Sequence, residues 1–407
     1  MQIGWIDFSK DERSKVLSVI DMLSEPEAVD ELGIGTIRDS FSRILFPGVT
    51  SIQTRAKYLV LIPYILLELE RSKETKVDAF FKELDDKEKE CARKLLETSD
   101  DGVIGSRSIR SGRWVKRKPS DIYWNGLRTY GIFTEPHLSL SDYGHIVCAI
   151  HSKKQTLASF GNTVRQCDGD ENDVDDSDAV RGIYSRQFWR LPEQTSSNWF
   201  QALSIDLSPS EARFLKRQII TSCGDSLLGF VLKNNRRDFT ELADFAEIGE
   251  SLLPVLPNSL SDTYRMAEGF ADFIYGAHIR YNVILSQGQD SYALEEWTKY
   301  KAQMEDFAGL NISVMIGALQ LQNVALVRFL TKLQVLMKAG DIEGMDALIA
   351  ARETQLKGLA RAKLRHVDEL AYKGWVGIGK LQYLFPNTRR IVKDIFSGEA
   401  AENAETI

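Results

Sequence analysis

Apolar residues return at three- and four-residue intervals along most of this chain. That period fits helices packed by one face, because positions i, i+3, i+4 and i+7 line up on a helix surface. The longest such stripe, within residues 260–286, holds Tyr264, Ala267, Ala271, Ile274, His278 and Tyr281, and Gly269 and Gly276 would let another helix approach closely. Helix-start signals agree. In "LSPSEARFL", Ser208 predicts an N-cap, Pro209 a first-turn residue and Glu211 the return half of a capping box. Ser9 with Glu12 and Thr50 with Gln53 repeat the box, and Thr36 predicts the cap of a short helix ended by Pro47-Gly48. Further helices are expected near 290–307, 316–338 and 342–372, with "SGEAAENAETI" (397–407) frayed and solvated and a flexible tail over 401–407.

Charge sets the next constraint. The net charge is −7, so the chain as a whole does not attract a polyanion, and any such binding must come from a local patch. One patch exists. From Gly102 to Ser120 there is no acid, and six cations stand together: Arg107, Arg110, Arg113, Lys116, Arg117 and Lys118. Pro119 and Ser120 predict the start of a helix, "DIYWNGLRTYG", stopped by Gly131. Asn125 and Arg128 lie one turn apart on it, spaced to reach base edges while the loop cations hold phosphates. Trp114, Tyr123 and Trp124 serve either as core or as stacking surfaces. Arg55 and Lys57 sit in the expected first turn of an earlier helix, where cations oppose the dipole. They are either ordinary surface charges or further phosphate contacts. Arg352, Lys357, Arg361, Lys363 and Arg365 form a second basic stretch, read as a bundle edge or a second polyanion contact.

The segment "LRTYGIFTEPHLSLSDYGHIVCAI" resembles the second half of a winged helix-turn-helix. Leu127, Gly131 and Ile132 match the end of the recognition helix, and Leu140, Ser141 and Gly144 match the entry to the next. The resemblance implies a two-stranded wing between them. Pro136 is poor in a paired strand, so a plain loop is the other reading. Three stretches, "ELGIGTIRDSFSRILFPGVTSIQTRAKYLVLIPYI", "KPSDIYWNGLRTYGIF" and "LSPSEARFL", together resemble an uncharacterised bacterial domain-of-unknown-function family of similar length. That resemblance implies a setting among anti-phage defence loci, beside helicases and phospholipase D-like nucleases. It brings no catalytic residues.

Other classes fit poorly. Cys91, Cys148, Cys167 and Cys223 form no CxxC pair, which suits reduced cytosolic thiols. The start of the chain lacks a signal peptide's apolar core, and the run "YLVLIPYILL", broken by Pro63, is too short to span a bilayer. "DGDENDVDDSD" (168–178), counted from Asp168, puts Asp173 where a calcium loop needs its Gly and Ala179 where it needs its Glu, and reads as a solvated acidic segment. "GWVGIGKL" offers Leu381 where a phosphate-binding loop needs a hydroxyl. His151 and Lys153 resemble half of a phospholipase D-like motif without its acid or its second copy. His137, His145, His151, His278 and His366 form no metal-spaced pair, and His278 reads as a satisfied core histidine.

The sequence therefore predicts a mainly α protein, with an N-terminal winged-helix-like domain followed by a C-terminal helical bundle. The borders expected are 1–155, with the winged-helix-like segment at about 74–154, a linker over 156–205 and the bundle over 206–400. The expected role is a cytoplasmic, non-enzymatic DNA-binding or adaptor subunit, without cofactor or metal, partnered by nucleic acid and by helicase or nuclease proteins and away from membranes. The alternatives are a protein–protein scaffold with no nucleic-acid contact, or an unrecognised nuclease or hydrolase.

Overall fold

The computed structural model describes residues 30–164, 187–193, 198–369 and 372–405, with side chains left aside at 157–164 and 402–405. The Ser9 box, Cys167 and the acidic segment 168–178 lie outside these residues. The protein is mainly helical. Among the described residues there are sixteen α-helices and no β-strand, only one isolated antiparallel bridge between Phe133 and Trp189. No described helix is long and apolar enough to cross a membrane. The chain divides into two compact units, each made of two stretches, with borders at 41/42, 260/261 and 383/384.

One unit comprises residues 42–260 and 384–407. At its centre runs the helix Tyr58–Arg71, buried from Tyr58 through Leu66 and again at Leu69. A helix hydrophobic all round must be covered on every side, and Val77–Leu96 and Pro119–Thr129 pack against it. Thr50 N–H donates to Gln53 Oε1 at 3.3 Å, as the box predicts, but the helix itself starts only at Tyr58. Pro209–Cys223 packs with Leu227–Lys233 and with the C-terminal helix Phe385–Glu405. The Ser208 box forms as expected: Ser208 Oγ accepts Glu211 N–H at 3.3 Å, and Glu211 accepts Ser208 N–H at 2.8 Å. The C-terminal helix runs to Glu405, so "SGEAAENAETI", expected to fray from Ser397, begins as helix. Gly398 is buried so tightly that a Cβ there would meet Ala212 Cβ at 2.8 Å, which seats the last helix on its neighbour.

The other unit comprises residues 1–41 and 261–383. All six residues of the long stripe are buried, within the helix Asn258–Leu285. Gly276 does allow close approach, since a Cβ would lie 2.3 Å from the Tyr300 ring. The helix Gly35–Leu45 is started by Asp30 rather than Thr36: its carboxylate accepts Leu32 N–H at 3.1 Å and Gly35 N–H at 2.6 Å. His278 is buried as expected but not satisfied, because its Nε2 has no partner. Burial, only partly opposed by Asp30 and Glu31, pushes it down to about 4.

The second basic stretch is not a basic face. Its helix, Ile342–Lys357, ends before most of it, at Gly358 with φ +75°. Arg352 and Lys357 point inward. Arg352 Nε donates to Leu32 O at 2.9 Å, and Lys357 Nζ binds Glu353 at 3.0 Å and Glu31 at 3.3 Å. Only Arg361 and Arg365 are exposed, with Lys363 half-buried.

Candidate nucleic-acid interface

The basic segment is held open by glycines and anchored at both ends. It begins at a turn where Gly102 has φ +75° and its carbonyl accepts Thr54 Oγ1–H at 2.6 Å. A short helix, Ser106–Arg110, follows Gly105, whose φ of +84° is costly for any residue with a Cβ. The Trp114 ring closes over Gly105, where a Cβ would lie 2.7 Å from it. Trp114 is thus half-buried against its own loop. The chain turns again at Gly112 (φ +71°), with Arg113 N–H donating to Ser108 O at 2.8 Å.

This frame leaves Arg107, Arg110, Arg113, Lys116 and Arg117 exposed. Arg110 pairs with Asp100 at 3.0 Å, an exposed contact that solvent screens. Lys118 is half-buried and pairs with Asp85 at 3.1 Å. Bonds from Lys89 and Lys118 hold Asp85 below the usual carboxylate range despite the upward push of its partial burial.

The helix Pro119–Thr129 is fixed from below. Ser120 does not cap it; Ser120 lies in its first turn, buried. Its N–H instead donates at 2.6 Å to Glu88, a buried carboxyl on the Val77–Leu96 helix. Burial pushes Glu88 up to about 8. Tyr123 and Trp124 are core residues. Tyr123 Oη accepts Thr54 and Arg55 N–H at 2.8 and 3.0 Å, and donates to Arg55 O at 2.8 Å. Trp124 joins Phe133, Tyr143, Phe188 and Trp189 in an aromatic cluster and donates Nε1–H to Leu138 O at 3.0 Å. With its inner face so committed, the helix presents Asn125 outward, exposed, and Arg128 half-buried with Nε enclosed and unbonded.

Beyond Gly131 (φ +65°), the backbone does not fold back on itself as a paired wing. Phe133 bridges to Trp189, Thr134 N–H donates to Phe188 O and Arg190 N–H to Ile132 O, both at 2.9 Å. The next helix starts at Leu140 with Ser139 and Asp142 as its box, two residues earlier than a cap at Ser141.

Arg55 and Lys57 are not surface charges. Arg55 is buried, with Nε on both Asp394 oxygens at 3.0 Å, one Nη on Asp206 at 2.6 Å and the other on Asp101 O at 3.1 Å. Lys57 is 6% exposed and binds both Glu211 oxygens at 2.9 and 2.7 Å. Nothing local in the sequence signals either set of partners, because they lie 46 to 339 residues away. A cleft of about 1030 Å³ opens beside Arg55, lined by Arg389, Arg390 and Lys393 but equally by Asp101, Asp206, Glu241 and Asp394. Its cations and acids balance, so it lacks the excess positive charge of the loop.

Among the described residues, no group of three His, Cys, Asp or Glu is placed to hold a metal ion, and Cys91, Cys148 and Cys223 are buried and unbridged. No curated protein and no solved structure matches the chain. The third stretch that carried the resemblance, "LSPSEARFL", lies beyond residues 1–160, which a family model matches. That match spans residues 1–160, which include the whole basic segment and its helix, and it is to a family of unknown function, DUF6361.

Proposed function

We propose that the unit containing residues 42–260 binds DNA through the loop Arg107–Lys118 and the outer face of the helix Pro119–Thr129, as a non-enzymatic subunit. One observation carries this reading: five exposed cations on a glycine-shaped loop, without an acid among them, on a protein whose net charge is −7. Folding does not require them, since the same segment meets its packing needs through Trp114, Tyr123 and Trp124. Arg107, Arg110, Arg113, Lys116 and Arg117 would hold phosphates, and Asn125 with Arg128 would meet bases. Arg55 and Lys57 leave this set, their charge being spent internally, and Lys118 is partly spent on Asp85.

The Pro119–Thr129 helix would act as the recognition helix of a winged-helix-like arrangement. Its support is the buried inner face and the exposed Asn125. A role as adaptor in anti-phage defence, beside a helicase or nuclease, follows only from the resemblance of the three quoted stretches. Fluorescence anisotropy with a labelled duplex, with and without divalent metal, tests binding against hydrolysis. Retention of intact DNA is expected in both conditions, and metal-dependent cleavage would show a nuclease instead.

A further inference from the structure

A surface in the other unit asks for a partner of a different kind. From Phe307 to Gly340 there are 34 residues without an acid, in a chain where about one residue in seven is acidic. The run contains the helix Val324–Ala339, whose inner face, Leu326, Phe329, Leu330, Leu333 and Met337, is buried. Its outer face is not polar in the usual way. Val324 is 69% exposed and Val335 61% exposed. Eleven residues apart, they stand three turns from one another and within about 20° of the same face. Arg328 and Lys338, both exposed, fall on the same seam.

Folding does not account for these valines. A β-branched residue is a poorer helix former than the alternatives, and here it buries little in return. We infer that the seam Val324–Arg328–Val335–Lys338 is a docking face for an acidic amphipathic helix of a partner protein. Such a helix would lay apolar residues on the two valines and its carboxylates on the two cations. Charge selects this occupant. A second copy meeting the same face across a two-fold axis would oppose cation to cation. A membrane surface calls for bulkier apolar residues than valine, with Trp, Phe or Leu on the buried side. The inference stands apart from DNA binding, which uses other residues.

The test places a photo-crosslinking residue at Val335 in the full chain, expressed in its host, and sequences the crosslinked peptide. The expected product is a segment of another protein with acids at helical spacing. Capture should fall at least about tenfold with Arg328→Glu plus Lys338→Glu, since like charges then oppose. Changing the partner's facing acids to Lys should restore it. The milder pair Arg328→Gln with Lys338→Gln should give an intermediate loss, with circular dichroism confirming the fold of each variant. Crosslinks to this same chain, to lipid, to a segment without acids or to nothing would overturn the inference. So would capture that ignores the charge reversal.

Discussion

The Glu88 carboxyl accepts the backbone N–H of Ser120 at 2.6 Å, so the helix that faces the proposed DNA is started by a side chain from another helix. Around Glu88 stand Asp85 and Cys91 on its own helix, Tyr58 on the central helix, and Lys118 and Asp121 at the helix it caps. Its second oxygen has no partner, and burial keeps it protonated near neutral pH.

Stability should therefore carry a signature of Glu88. Its folded value of about 8 lies above the ordinary 4.5, so the folded state holds a proton that the unfolded chain releases. The contribution is full below pH 4.5 and is lost as pH rises toward 8, at up to about 1.4 kcal/mol per pH unit. Glu88→Gln cannot ionise and should remove that slope. Urea midpoints of parent and variant, compared between pH 5 and 8, are expected to converge or cross with rising pH. Parallel curves would contradict the assignment.

Lys57 and Glu211 form a buried pair that also closes the Ser208 box. Lys57→Ala leaves the Glu211 carboxylate buried without its cation, and a cost of about 3–5 kcal/mol is expected. Urea unfolding measures it. A loss under about 1 kcal/mol would mean that Lys57 is a surface charge after all.

Gly105 lets Trp114 cover the loop. Gly105→Ala combines a left-handed backbone, costing about 1–2 kcal/mol, with a clash against the Trp114 ring. Amide exchange over residues 106–113 should accelerate while the Tyr58–Arg71 helix keeps its protection. Unchanged exchange in the loop would show that the ring does not hold it.

Much of this architecture is legible where the determinant is local. Ser208, Pro209 and Glu211 announce their helix because a capping box closes within four residues, and the stripe from Tyr264 to Tyr281 is a repeat of helical period. Gly131 marks the end of the Pro119–Thr129 helix for the same reason. What stays hidden is what distant residues do. Ser120 looks like a cap until Glu88 takes its N–H. Arg55, Lys57, Arg352 and Lys357 look like surface cations until Asp394, Glu211, Leu32 and Glu353 are folded against them. A cation carries no mark of whether its partner is water, a carboxylate or a phosphate.

The most direct test of DNA binding by the loop is its salt dependence. Arg107, Arg113 and Lys116 are exposed and belong to no ion pair among the described residues, so changing all three to Ser should spare stability. If each meets a duplex phosphate, the slope of log affinity against log salt should fall by about 2.7, from about 0.9 per contact. Asn125→Ala should leave that slope in place and change affinity only for some DNA sequences. A triple variant that binds with the parent's slope, or a parent that binds no DNA at low salt, would contradict the account.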